Sequence, residues 1–104
     1  MPRCAFRLRI KKEAVEQYEQ EHARVWPELL SKLKEVGISD YSIFRQDQDL
    51  FLCMRVDDFN RAWEVLDHDP VNQRWQQAMS AYFEPLPIPE GQRFAMMKEV
   101  FFLE

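Results

Sequence analysis

Residues 12–37 read KEAVEQYEQEHARVWPELLSKLKEVG. Apolar and aromatic side chains recur there at helical spacing: Val15, Tyr18, His22, Val25 and Trp26, Leu29, Leu33 and Val36. Tyr18, His22 and Trp26 are four apart, so a continuous helix would stack them on one face. A face that only fills a core draws on Leu, Ile and Ala. This one carries a phenol, an imidazole and an indole in succession, which suits the wall of a polar pocket, with Trp26 as a possible part of that wall. The same spacing also suits an aromatic core face with one structural histidine. Pro27 interrupts the pattern: a proline inside a helix removes one hydrogen bond and clashes one turn back, at ~3 kcal/mol. The chain is therefore expected to bend near Arg24–Trp26 and to restart with Pro27 in a first turn. Gly37 is the expected left-handed stop.

Outward from this stretch, Arg3 to Ile10 alternates. Phe6, Leu8 and Ile10 point one way and Ala5, Arg7 and Arg9 the other, as in a strand with one buried face. Ser39–Arg45 and Leu50–Val56 read as a hairpin around the polar turn Gln46–Asp49. The run LFLCM makes the second strand central. Asp57 or Asp58 caps a short helix with Phe59, Ala62, Trp63 and Leu66 facing inward, and Trp63 is assigned to the core. His68 closes that helix, where an imidazole suits the dipole. Asp69-Pro70 opens a further helix running to Phe83. Glu84–Gln92, with three prolines, is a stiff loop. Phe94–Leu103 is the last strand, and the apolar run Val100–Leu103 requires cover on both faces, for which a partner subunit is the natural source. The order of strand, helix, two strands, helices and strand predicts an α+β, ferredoxin-like βαββαβ fold. Helices then cover one face of a four-stranded antiparallel sheet and leave the other bare. Folds of this sort commonly pair through the bare face, with the last strand and Pro-rich arm exchanged.

The 104 residues fit one domain, residues 1–104, with a small core. Gly is scarce at 2, and Gly37 and Gly91 are far apart, so neither a P-loop nor a dinucleotide fingerprint can be built. Fourteen Lys and Arg against 18 Asp and Glu leave a net charge of −4, which argues against nucleic acid or an anionic membrane as partner. No apolar run approaches the ~18 residues that span a bilayer. The opening MPRCAFRLRI is broken by Arg3, Arg7 and Arg9, unlike a signal peptide. Cys4 and Cys53 are expected as buried free thiols in a reducing cytoplasm. Two Cys and two His without ligand spacing give no zinc site.

Taken together, Tyr18-x3-His22-x3-Trp26-Pro27-Glu28-Leu29, then Tyr41, Gln73-Arg74-Trp75 and Glu99-Val100-Phe101 resemble the L-rhamnose mutarotase family. The resemblance runs from Arg3-x-Ala5-Phe6 to Leu103, and the cluster around His22 and Trp26 is its most specific part. It implies a homodimeric α/β-barrel protein that interconverts the α and β anomers of L-rhamnose, a monosaccharide, without a cofactor. Matched by position, His22 falls on the family's proton donor, Tyr18 and Tyr41 on its sugar-binding tyrosines, and Trp75 on the first of two adjacent sugar-contacting tryptophans. The second is Gln76 here, a departure that bears on the sugar's identity more than on the reaction.

The residue types agree with that chemistry. A pyranose mutarotates by opening: a base removes the anomeric proton, an acid protonates the ring oxygen, and the aldehyde rotates before the ring closes. Imidazole is the side chain whose charge changes near neutral pH. Tyrosine hydroxyls donate to and accept from sugar hydroxyls, and an indole offers a plate for the C–H face of a 6-deoxy ring. Two other functions suit the same fold: a cofactor-free monooxygenase of aromatic polyketides in a drier pocket, and a non-catalytic ligand-binding module.

Overall fold

A computed structural model describes residues 2–104. The elements are β1 (Arg3–Arg9), α1 (Val15–His22), α2 (Pro27–Glu35), β2 (Ser39–Gln46), β3 (Asp49–Arg55), α3 (Phe59–Asp67), α4 (Pro70–Met79) and β4 (Ala95–Met97). Short 3-10 turns at Lys12–Ala14 and Ser80–Tyr82 join α1 and α4 to their neighbours. The strands form one antiparallel sheet in the order β2-β3-β1-β4. This is the expected ferredoxin-like arrangement, with β3 central.

The alternation in β1 and β3 sets the core. Phe6, Leu50, Leu52 and Met54 turn to the helical layer and are almost fully buried, together with Ile10 and Leu66. Phe6 (1% exposed) stacks on Phe94 at 4.4 Å and meets the edges of Phe59 and Trp63. The other sheet face carries Arg7 and Arg9 away from the helices; Arg9 pairs with Asp49 at 3.2 Å. Phe44, opposite Phe51 on that face, is 64% exposed.

Local chemistry fixes the helix ends. Trp26, ahead of Pro27, is extended (φ −60°, ψ 132°), as the proline ring requires of the preceding residue. The bend therefore falls where the sequence places it. Gly37 is left-handed at φ 93°, and Ile38 N–H closes onto the Leu33 carbonyl at 3.0 Å. Asp58 accepts from Arg61 N–H (3.1 Å) and Asp69 from Asn72 N–H (2.9 Å), capping α3 and α4. His68 ends α3, with Nδ1 2.9 Å from the Glu64 carbonyl.

Three boundaries and one burial differ from expectation. Gln46 and Asp49 are already paired, so the hairpin turns on Asp47 (φ 53°) and Gln48 alone. The helix from Pro70 stops at Met79, because the chain must then extend for Phe83 to bridge Ile10. The last strand holds only Ala95–Met97, pairing with Arg7–Ala5. Beyond it Arg3 grips the tail through side chains instead, bonding Glu99 at 2.6 Å and lying 3.7 Å over the Phe102 ring. Val100, Phe101 and Leu103 are 76–86% exposed, so among the described residues nothing supplies the cover their sequence calls for. Finally, Cys4 and Cys53 are free but half-buried rather than buried. Burial, and secondarily the neighbouring Cys53, push the Cys4 thiol up, which keeps it protonated.

Phe6 joins sheet and helices through three aromatic neighbours, so Phe6→Ala is expected to destabilise the protein by ~3–5 kcal/mol. Urea unfolding checks this as a lower midpoint with an unchanged slope.

Candidate active site

The break forced by Pro27 decides where His22 stands. α1 ends on His22, and the ring turns back so that Nδ1 lies 2.9 Å from the Tyr18 carbonyl oxygen. A carbonyl only accepts, so Nδ1 carries the proton and Nε2 is left free. The Tyr18 ring stacks on the imidazole at 4.1 Å and 29°, and Trp75 from α4 meets it edge-on at 5.4 Å and 82°. Rings on two sides and one hydrogen bond therefore fix the half-buried imidazole.

His22 borders a cavity of about 370 Å³ between the helical layer and the sheet. That is the lower part of the ~300–1,000 Å³ range of small-ligand sites. Val25, Leu29 and Leu33 come from the α1–α2 side, Ile38 from the turn before β2, Tyr41 and Ile43 from the sheet, and Trp63, Leu66, Asn72, Trp75 and Gln76 from α3 and α4. The lining is mostly apolar, with His22, Tyr41, Asn72 and Gln76 as polar groups and Lys34, Ser39 and Asp40 also bordering it. His22 and Ile43 are shared with a second hollow that Tyr18, Glu19 and Arg45 also border, where Glu19 and Arg45 form an ion pair.

A bulge supplies Tyr41. Ser39 pairs with Arg55 and Ser42 with Cys53, so Asp40 and Tyr41 together oppose Met54. The extra residue, with Asp40 at φ 48°, bends the strand and re-aims its side chains. Tyr41 then shares the inner face with Ile43. Burial pushes the Tyr18 phenol well above its ordinary range. It does the same to Tyr41, with the neighbouring Tyr18 adding to the effect. Both phenols are thus neutral hydroxyls across the physiological range, able to donate and accept but not to act as bases.

The structure brings His22, Tyr41, Trp75 and Gln76 to one cavity, and Tyr18 beneath the imidazole on its far side. Trp26 stands apart: with the helix broken it reaches Trp75, edge-on at 5.2 Å, and borders neither hollow. It buttresses the wall rather than forming it. Trp63, read from the sequence as core, both packs in the aromatic cluster and lines the cavity. Asn72 was not singled out by its sequence; its signal, an amide in an otherwise apolar helix face, is weak without the fold.

The model of the L-rhamnose mutarotase family matches residues 3–103 of this chain. The chain belongs to the L-rhamnose mutarotase family. It is 40% identical over 82 residues to the L-rhamnose mutarotase of Acidiphilium cryptum, covering 77% of this chain and 78% of that one. It is 32% identical to that of Enterobacter sp. over the whole of both chains. The crystal structure of L-rhamnose mutarotase from Formosa agariphila superposes with a TM-score of 0.81 at 28% identity, covering both chains fully. The tetracenomycin F2 cyclase of Streptomyces glaucescens shares the fold, with a TM-score of 0.71 at 16% identity over 100% of this chain and 98% of that one. Membership favours the mutarotase reading of the sequence over the monooxygenase and binding-module ones.

The raised phenols carry a pH consequence. A tyrosine that ionises later in the folded state stabilises the fold below its unfolded value of ~10 and loses that contribution as pH rises further. Stability should therefore fall above pH ~10, and Tyr18→Phe should flatten that fall. Urea midpoints measured at increasing alkaline pH check both.

Proposed function

We propose that this protein interconverts the α and β anomers of L-rhamnose or a closely related sugar, with His22 as the acid. The observation that carries the reading is the imidazole itself: Nδ1–H is committed to Tyr18, which leaves Nε2 for a ligand, and His22 borders a monosaccharide-sized cavity. In the charged form, Nε2–H donates to the ring oxygen as the C1–O5 bond breaks, and water takes the anomeric hydroxyl proton. The open aldehyde rotates about C1–C2. On closure the new O5–H returns its proton to Nε2 and the carbonyl oxygen takes one from water, so the enzyme is regenerated.

Tyr18 orients the imidazole and Tyr41 offers its hydroxyl to the sugar. Trp75 covers the C–H face of the ring and Gln76 meets its edge. Proton transfer by a positioned side chain is typically worth ~10²–10⁴-fold. Mutarotation already proceeds in water, so no larger factor is called for.

The working form is a homodimer in this reading. Phe44, Phe51 and Met97 lie on the bare sheet face, and Val100–Leu103 extend beyond β4 without cover. A second copy burying both would supply that cover. Free thiols at Cys4 and Cys53 suit a reducing cytoplasm, and among the described residues no helix is long and apolar enough to cross a membrane.

Saturation-transfer NMR on equilibrated L-rhamnose reports anomer exchange directly. The protein should raise the exchange rate at micromolar concentration, and His22→Ala should remove ~10²-fold or more of that acceleration. An unchanged rate with the parent protein rejects the reading; a fully active variant moves the acid elsewhere. In sedimentation, the parent should run at twice the 12.6 kDa chain mass. Phe44→Glu should shift it toward the single chain, and a parent that sediments as a monomer excludes the dimer.

A further inference from the structure

Asn72 is the one buried polar side chain in the core among the described residues, 7% exposed. It sits in the first turn of α4. Its Nδ2 donates to the Leu66 carbonyl at 3.0 Å and so ties α4 to the end of α3. Its Oδ1 faces Gln76, one turn further on, whose Nε2 stands 3.5 Å away. That separation lies beyond the usual N–H···O range. The oxygen thus belongs to a buried side chain, lies close to a donor, and is only weakly bonded. Both side chains line the cavity that His22 and Tyr41 share, in which most other positions are apolar.

We propose that Asn72 and Gln76 together form a hydroxyl-reading edge that sets which sugar the cavity prefers. One hydroxyl of the bound pyranose donates to Asn72 Oδ1 and accepts from Gln76 Nε2, adding two hydrogen bonds where the amides alone make one long contact. The inference rests on the reading of this cavity as a sugar site, and it adds a specificity-determining residue and a substrate class to it.

The physical asymmetry is direct. A methyl group placed against this edge covers a buried carbonyl oxygen and gives it no donor, which is costly. A hydroxyl placed there satisfies both amides. A site built around such a bond rejects the analogue that lacks the hydroxyl far more strongly than an apolar pocket rejects a missing methylene. The preferred substrate is then a pyranose that presents a hydroxyl, not its 6-methyl group, to α4. Where the wall is an indole, the same position instead favours a C–H face. Gln76 is exposed at its own position, so exchanging it disturbs little else.

The test compares the parent protein with Gln76→Met and Asn72→Leu. Saturation-transfer NMR gives kcat/KM for anomer exchange in L-rhamnose and its 2-, 3- and 4-deoxy analogues. It also gives the value for L-mannose, the same ring with a hydroxymethyl for the methyl. The parent should separate at least one pair differing by a single hydroxyl by about tenfold or more, and both variants should reduce that ratio to about two- or threefold. A parent that separates none of the pairs, or a ratio the variants leave unchanged while L-rhamnose is still turned over, overturns the edge and leaves the mutarotase reading standing. A parent that accelerates no sugar overturns that reading and the edge with it. Should Asn72→Leu fail to fold, judged by circular dichroism, Gln76→Met decides by the same ratio.

Discussion

The hydrogen bond from His22 Nδ1–H to the Tyr18 carbonyl (2.9 Å) is the constraint on which the rest of the site depends. It settles the tautomer and frees Nε2. It also fixes the plane of a ring that Tyr18 covers on one side and Trp75 meets on another. Such a bond forms within one turn of helix, so it needs no partner from elsewhere in the fold. What the fold adds is the space beside it, and that comes from ending α1 at His22.

Pro27 provides the ending. Had the helix continued, Trp26 would have stood one turn above the imidazole. With Trp26 extended instead, the indole moves to brace Trp75 and α2 sets off on a new course. The residues of α2 that follow, Leu29 and Leu33, then line the cavity from one side while Tyr41 and Ile43 line it from the sheet. One residue that cannot donate a hydrogen bond thus separates the helix that carries His22 from a helix that walls the cavity. The phenols belong to the same economy of means. Burial keeps both neutral, as hydroxyls that donate and accept.

Much of this was legible in the sequence wherever the cause is local. Pro27 announces its own break, Gly37 its left-handed stop, and the Asp57-Asp58 pair and Asp69 their caps, because each acts within four residues. Alternation in β1 told its buried face from its open one, and the apolar run LFLCM marked β3 as central. What escaped depends on distant parts of the chain. The bulge at Asp40–Tyr41 arises from how β2 registers on β3. Asn72 reads as an ordinary polar helix residue until α3 and the cavity close around it. Trp63 looks like core from its own helix, and is also wall once α4 is in place. The tail's apolar run promised a long strand, yet β1 offers β4 only three partners, and side chains of Arg3 take over where backbone pairing ends.

In the proposed function a sugar meets one imidazole and not the other. His22 and His68 are the two histidines of the chain, the first at the cavity and the second exposed at the end of α3. Each therefore serves as the other's control. Titrating L-rhamnose into the protein while following both imidazole resonances by NMR is the most direct measurement. The His22 signals should move saturably and those of His68 should stay in place. His22 signals that do not move at saturating sugar, or a shift confined to His68, would contradict it.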